Sequence, residues 1–289
     1  MPPANQTCYL CGGVHLAART GTVRDNPALG IVECADCGLV ALDRRDHIAP
    51  DHYEKSGMHG EQPASMESWL AESSRDDERR FNDLSALIAN RRILDVGSGA
   101  GGFLSRAQRI AKDAVGIEPE ARVRQFYGDV LSIYPDLDAV RGRTFDLVTA
   151  FHVLEHVPDP RAVLSGLGEL VASAGRLVIE VPSSEDVLLT LYDCDAFQRF
   201  TYWSQHLFLF NADTLRRVAG QAGLKVVAIE QYQRYPLANH LHWLSQGRPG
   251  GHAAWSFLDT PSLRDAYGSA LAAIGKCDTL IAHLEADAS

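Results

Sequence analysis

The stretch FHVLEHVPDP, residues 151–160, sets His152, Glu155 and His156 at spacings i, i+3 and i+4. On one helical turn these three side chains share a face. Two imidazoles and a carboxylate so placed can hold a metal ion or move a proton. The plainer alternative is a helix start, with Glu155 favoured by the dipole and His156 bonded to a loop. A second set is easier to read. Cys8 and Cys11 form one C-x2-C pair and Cys34 and Cys37 another, with 22 residues between the pairs. Four thiolates in this pattern suit a tetrahedral, closed, structural zinc ion. Glycine follows the second cysteine of each pair, in CYLCGG and CADCGL, where the backbone must turn so that amides face the sulfurs. A β-hairpin in the gap would complete a zinc ribbon over residues 1–45.

These groups need a scaffold, and composition bounds it. The chain has 289 residues, 46% of them hydrophobic, which suits one large or two small globular domains. Its net charge of −10 disfavours electrostatic capture of nucleic acid. Within residues 1–60, five Lys/Arg face seven Asp/Glu, so the ribbon is not a basic grip either. No run approaches the roughly 18 apolar residues of a membrane helix, and a cytoplasmic location without membrane attachment is expected.

Residues 46–90 divide into a polar linker, His47 to Ala64, and a helical stretch from Ser65 to Asn90 with Trp69, Phe81 and Leu84 as apolar contacts. Strands and helices then alternate. RILDVG, AVGIEP, VLSIY, FDLVTAF, RLVIEV and KVVAIEQY are strand candidates, and NADTLRRVAGQAG is a helix with an Asn cap and a glycine stop. This alternation implies a parallel sheet with helices on both faces, a Rossmann-like domain over residues 91–289. TPSLRDAYGSALAAIG is a late helix with Thr260 as its cap and Pro261 first, and DTLIAHL is a last strand.

The loop DVGSGAGG spans Asp95 to Gly102. Its glycines let the chain turn off a strand and approach a ligand closely, and the following helix offers free amides. Glycines alone do not separate a dinucleotide from another adenosyl ligand. Asp95 does: a carboxylate there repels a pyrophosphate and suits an ammonium group. Glu118, ending the second strand, can accept from two ribose hydroxyls. An amino-acid end and a ribose together describe S-adenosylmethionine.

ILDVGSGAGGF, VGIEP, FDLVTAFHVLEHVPDP and GRLVIEVPS, in this order, resemble the class I S-adenosylmethionine-dependent methyltransferases over about residues 90–232. The resemblance implies a seven-stranded sheet whose last strand, here DTLIAHL, is antiparallel and lies at the sheet edge. It implies that Asp95, Gly97, Ser98, Gly99 and Gly101 hold the methionine end and Glu118 the ribose. Asp136 or Leu137 would contact the adenine, and Phe151 and His152 would line the cofactor pocket. An NAD-dependent oxidoreductase is the competing reading.

Two narrower resemblances bear on catalysis. Ubiquinone-pathway O-methyltransferases and small-RNA 2′-O-methyltransferases are similar around a Glu-x-x-Glu-His set that holds a divalent ion, with His152 here in the first Glu position. A zinc ribbon ahead of this fold is similar to bacterial deoxysugar C-methyltransferases, which carry a Tyr-x-x-Glu-His motif after strand five. TYWSQHLFLF matches it at Tyr202 and His206, with Gln205 replacing Glu. Removing a proton from carbon needs a strong base, so this exchange favours methylation of oxygen or nitrogen, with His156 and His206 as acid/base residues of near-neutral pKa and Tyr202 beside them.

Residues 235–275 are expected to cap the active site, since they leave the ligand end of strand six. Within them Tyr235, His240, Trp243 and Arg248 are the candidate substrate contacts for a sugar or sugar-like small molecule. An RNA methyltransferase, a deoxysugar C-methyltransferase and a non-catalytic binding module are the other classes.

Overall fold

The computed structural model describes residues 6–48 and 64–286. Most of the linker stretch lies outside the described residues. In the ribbon, β1 (Leu16–Ala18), β2 (Ile31–Cys34) and β3 (Val40–Leu42) pair antiparallel. Helix α1 (Met66–Ile88) starts at Ser65, whose side chain accepts from the Ser68 amide. It packs on the helix Gly102–Ala107 and the strand Phe145–Phe151.

The domain proper runs β4 (Arg92–Val96), α2 (Gly102–Ala107), β5 (Asp113–Ile117), α3 (Ala121–Tyr127), β6 (Ser132–Tyr134), β7 (Phe145–Phe151), α4 (Pro160–Glu169) and β8 (Val171–Pro182). It continues through α5 (Asp195–Thr201), β9 (Phe208–Leu209), α6 (Ala212–Gln221), β10 (Leu224–Tyr232), α7 (Leu237–Gln246), α8 (Gly251–Ala254), α9 (Pro261–Ala273) and β11 (Thr279–Ala286). The seven-stranded sheet has the order β10-β11-β8-β7-β4-β5-β6. β4 pairs in parallel with β5 on one side and β7 on the other, so the strand order reverses there. Open α/β sheets bind ligands at such a switch point, beyond the carboxyl ends of the strands.

β11 is antiparallel to both β10 and β8, as expected, but it does not lie at the edge. It sits one strand in, and β10 is the edge. Burial explains the order: five of the first six β11 residues are buried, whereas only Leu224 of β10 is. The more apolar strand takes the doubly paired position.

The hairpin reading of the ribbon holds, and one strand was missed. β9, only two residues long, pairs with β3 and extends the ribbon sheet to four strands. The ribbon and the domain therefore share a core: Leu39, Val40 and Leu42 pack in one cluster with Phe208, Phe210 and Leu164. On the opposite face of the large sheet, Leu84 and Ile88 of α1 pack with Ile93, Leu147 and Val178. Among the described residues no helix is long and apolar enough to cross a membrane.

Candidate active site

The glycine loop leaves β4 at the switch point. Gly97 and Gly101 have φ of 71° and 78°, in the left-handed region. A Cβ at Gly97 would stand 2.5 Å from Val153, and one at Gly101 would stand 2.6 Å from the Tyr127 ring. Side chains are thus excluded twice, by conformation and by space. The loop opens on a cavity of about 380 Å³. Asp95, Gly97, Ser98, Gly99, Glu118, Phe151, His152 and His156 all line it.

Asp95 is buried and accepts from Thr149 Oγ1 at 2.7 Å. Burial raises its pKa to about 6, against the opposing effect of the Thr149 bond. Glu118 accepts from the Gly99 and Glu120 amides at 2.8 and 2.9 Å. Burial, helped by Glu120 and Asp95, raises it to about 7. Neither carboxylate forms a salt bridge among the described residues.

Behind His152, which lines the cavity, the acids are paired. Glu180, at the end of β8, accepts from Arg79 Nη2 and Arg80 Nη2, both at 2.7 Å. His152 stands between two acids, with Nδ1 3.1 Å from Glu155 and Nε2 3.3 Å from Glu180. Burial lowers the His152 pKa, but bonds to both acids outweigh it and the net shift is upward. Burial likewise raises Glu155 and Glu180; the histidines and, for Glu180, Arg80 reverse this, holding Glu155 near 2 and Glu180 well below the usual range. His152 also adopts φ 54°, a strained conformation for a non-glycine residue, with its amide bonded to Glu180 O. These ties fix its ring on the cavity wall.

His156 Nδ1 bonds Gln205 O at 2.9 Å, and its ring lies 4.9 Å from that of His206. Glu155, His156 and His206 bring one ligand atom each within 4.8 Å of one another. Glu155 Oε2 is buried and meets no hydrogen-bond partner among the described residues. The set that could hold a cation is therefore Glu155, His156 and His206, while His152 Nδ1 is taken up by the other oxygen of Glu155. His206 keeps a partly exposed edge, yet burial and then His156 lower its pKa to about 3. The near-neutral pKa expected at His206 is not found: held this low it is uncharged at neutral pH and a weak base, and it does not line the cavity.

Several expected contacts lie elsewhere. Tyr202 is buried against the ribbon, its ring over Gly21, and does not line the cavity. Asp136 caps the turn Leu137–Val140 by accepting from the Asp138 amide, and neither Asp136 nor Leu137 reaches the cavity. Pro119 and Glu120 line that side instead. The cap does contain the expected turn at Gly247, but its aromatics point inward. Trp243 packs on Phe197 and Phe200, and His240 bonds Tyr267 and Gln233. Arg248 is exposed and offers its carbonyl to His242; Tyr235 donates its amide to Asp278. None of the four lines the cavity; their neighbour Arg234 does, paired with Asp76 of α1. A helix long enough to bury its own apolar face has no need to lend it to a ligand.

Helix α1 is the contribution the sequence reading missed. Trp69, Ser73, Asp76, Asp77 and Arg80 line the cavity. Ser73, Asp76, Asp77 and Arg80 recur at spacings of three and four, a polar stripe on one helical face that the sequence carries.

The ribbon cysteines meet as expected. Cys8 Sγ is 3.6 Å from Cys37 Sγ, and Cys11 Sγ is 3.5 Å from Cys34 Sγ. A tetrahedral zinc with bonds of ~2.3 Å sets its sulfurs roughly 3.8 Å apart. Gly12 and Gly38 adopt φ of 73° and 77°, and the Gly13 amide faces Cys11 Sγ at 3.3 Å. The residues fit the ion.

Comparison with known proteins agrees with the fold. A ubiquinone biosynthesis O-methyltransferase of Xanthomonas oryzae pv. oryzae is 35% identical over 104 residues, covering 32% of this chain and 43% of that protein. A tRNA U34 carboxymethyltransferase of Dichelobacter nodosus is 32% identical over 124 residues, 39% of this chain and 40% of that protein. The chain thus matches less than half the length of these relatives. A structure of the Haloferax volcanii Trm112 methyltransferase activator in complex with a methyltransferase has a chain that shares the fold. Its TM-score is 0.50 at 14% identity, over 77% of this chain and 97% of that one. Residues 67–229, more than half of the chain, match the family described as a methyltransferase domain. With β11 reversed beside β8 and the acid-flanked glycine loop at the switch point, the chain belongs to the class I S-adenosylmethionine-dependent methyltransferases.

Proposed function

We propose that this chain transfers the methyl group of S-adenosylmethionine to a hydroxyl oxygen of a small molecule. The observation that carries this reading is the pair Asp95 and Glu118: two buried acids on one cavity, without a salt bridge among the described residues, at the switch point of the sheet. The donor supplies an electrophilic methyl carbon on a sulfonium. Asp95 would meet its ammonium group and Glu118 its ribose hydroxyls, and the loop amides would hold the chain between them. His156, on the cavity wall, would take the acceptor's proton as the oxygen attacks. Holding nucleophile and methyl in line supplies much of the acceleration.

A second reading is favoured by the orphaned Glu155 Oε2. Glu155, His156 and His206 would hold a divalent ion that orients and acidifies the acceptor hydroxyl. Two imidazoles and one carboxylate favour a borderline-soft ion over Mg²⁺. We also infer that Cys8, Cys11, Cys34 and Cys37 bind one structural zinc.

Sugar-like and phenolic hydroxyls are the two acceptor classes to compare. The inward cap aromatics weaken the case for a stacked sugar, and a ubiquinone-pathway relative points to a ring hydroxyl. An RNA acceptor is favoured by the tRNA-directed relative and opposed by the net charge of −10. Calorimetry with S-adenosylmethionine, followed by radiolabelled methyl transfer to panels of both hydroxyl classes with and without added divalent ions, tests the reading. Binding lost in Asp95→Ala, and label recovered in a small molecule, are expected. Tight NAD binding without S-adenosylmethionine binding would overturn it. Elemental analysis is expected to find zinc lost in Cys8→Ser.

A further inference from the structure

The ribbon is more than an appendage at the N-terminal end of the described fold. It grips the segment from Gln198 to Leu209 along its length. Thr22 N, Arg24 N and Leu42 N donate to the carbonyls of Gln198, Tyr202 and Leu207 at 3.4, 3.0 and 3.1 Å. β3 pairs with β9 through Val40–Leu209 and Ala41–Phe208. At the centre, Asp25 takes both polar hydrogens of one residue: Ser204 N at 2.9 Å and Ser204 Oγ at 2.6 Å. His47 Nε2 bonds the Ser204 carbonyl at 2.7 Å.

The next peptide faces the active site. Gln205 O lies 2.9 Å from His156 Nδ1, and Leu207 N donates to Glu155 O at 2.8 Å. A carbonyl only accepts, so its partner nitrogen must carry the hydrogen. The other nitrogen, Nε2, stands 3.9 Å from Glu155 Oε1 and, in the neutral ring, is the one able to accept a proton or bind a cation.

We propose that Asp25 of the ribbon is a positioning residue that fixes the tautomer of His156 through Ser204 and Gln205. This rests on His156 acting in the proposed methyl-transfer site, but concerns how the site is held. Asp25 fixes the Ser204 peptide, that peptide fixes the direction of the Gln205 carbonyl, and the carbonyl selects Nδ1–H. A ribbon serving only as ballast would need its contact at Tyr9 and Asp159 as much as that at Asp25.

The test uses full-length, zinc-loaded protein with ¹⁵N-histidine. Long-range proton–nitrogen spectra are recorded at about pH 8, where neutral tautomers are distinguished. The chain has 11 histidines, and His156→Gln assigns the signal. Wild type is expected to show Nδ1–H at His156. Asp25→Ala is expected to shift it towards Nε2–H, and Asp25→Asn, which still accepts from the Ser204 amide, to restore it. Ser204→Ala, which removes one of the two bonds, gives a smaller shift and serves if Asp25→Ala fails to fold. Tyr9→Phe should leave the signal in place. S-adenosylmethionine affinity should stay within about twofold throughout, since Asp95 and Glu118 are untouched. An unchanged His156 signal in folded Asp25→Ala and Ser204→Ala overturns the proposal, as does an equal shift in Tyr9→Phe. The spectrum needs no acceptor and no turnover, so a failure of the methyl-transfer reading is seen separately.

Discussion

Four buried acids divide into two halves of the site: Asp95 and Glu118 line the cavity, whereas Glu155 and Glu180 stand behind His152, which lines it. On the glycine-loop side, Asp95 and Glu118 are raised to about 6 and 7. On the histidine side, Glu155 is held near 2 and Glu180 well below its ordinary range. Burial pushes all four upward; the difference is the company. Glu180 has Arg79, Arg80 and His152, whereas Asp95 and Glu118 have hydroxyls and amides. A buried acid without a protein cation is costly unless a ligand supplies the charge. The half behind His152 is therefore completed by the chain itself, and the half that lines the cavity is suited to completion by a cationic ligand.

The sharpest way to break this comparison is to remove one acid from each half. Glu180→Gln leaves two guanidiniums and an imidazole facing an amide. Loss of one partner from a buried ion pair costs about 3–5 kcal/mol, and urea unfolding should show a loss of this order. Asp95→Asn removes an acid without an ion-pair partner, so the unliganded protein should be as stable as wild type or more so at pH 8. Equal destabilisation by the two substitutions would erase the distinction.

Ligand affinity should show the reverse. Asp95→Asn is expected to weaken S-adenosylmethionine binding by roughly 10- to 100-fold, the worth of a charge-assisted hydrogen bond of ~1.5–3 kcal/mol. The pH dependence has a definite sign. The Asp95 pKa is about 6 in the folded chain, against ~3.9 unfolded. Between these values the folded state holds the extra proton, so unliganded stability falls as pH rises from about 4 to 6. The donor's ammonium needs the ionised form, so affinity should rise with pH through about 6 and then level. Calorimetry across this range should give a flat profile for Asp95→Asn. Glu118→Gln should cost less, on the order of 10-fold, because its expected partners are neutral hydroxyls.

The glycine-loop half was legible because its signal is local. Asp95, Gly97, Gly99 and Gly101 lie within seven residues, and Glu118 ends the next strand. The four cysteines were legible for the same reason. The other half depends on long-range pairing that periodicity does not carry. Glu180 meets Arg80 across 100 residues, and β9 meets β3 across a domain boundary. Tyr202 matched a motif, but the ribbon claims its ring. The cap aromatics had the composition of a binding surface, yet composition does not say which way a helix turns; Trp243 faced Phe197 and Phe200.

The cap gives the smallest expected effect, and it extends the comparison to a second region whose polar groups are met by the chain. His240 bonds Tyr267 and Gln233, and Asp278 accepts from Gln233, Arg234 and Tyr235. Changes here should register in stability and leave donor affinity alone. Gly247 is the mildest probe. It ends α7 with φ 64°, and an added Cβ would stand 3.3 Å from Ala196. Gly247→Ala therefore meets a left-handed backbone and one close neighbour, for a cost of about 1–2 kcal/mol. A drop of a few degrees in Tm, with unchanged S-adenosylmethionine affinity by calorimetry, is the expected result. Weakened donor binding in this variant would mean that the cap and the glycine loop are coupled through Arg234 and Asp76, and the cavity would then have to be treated as one unit rather than two halves.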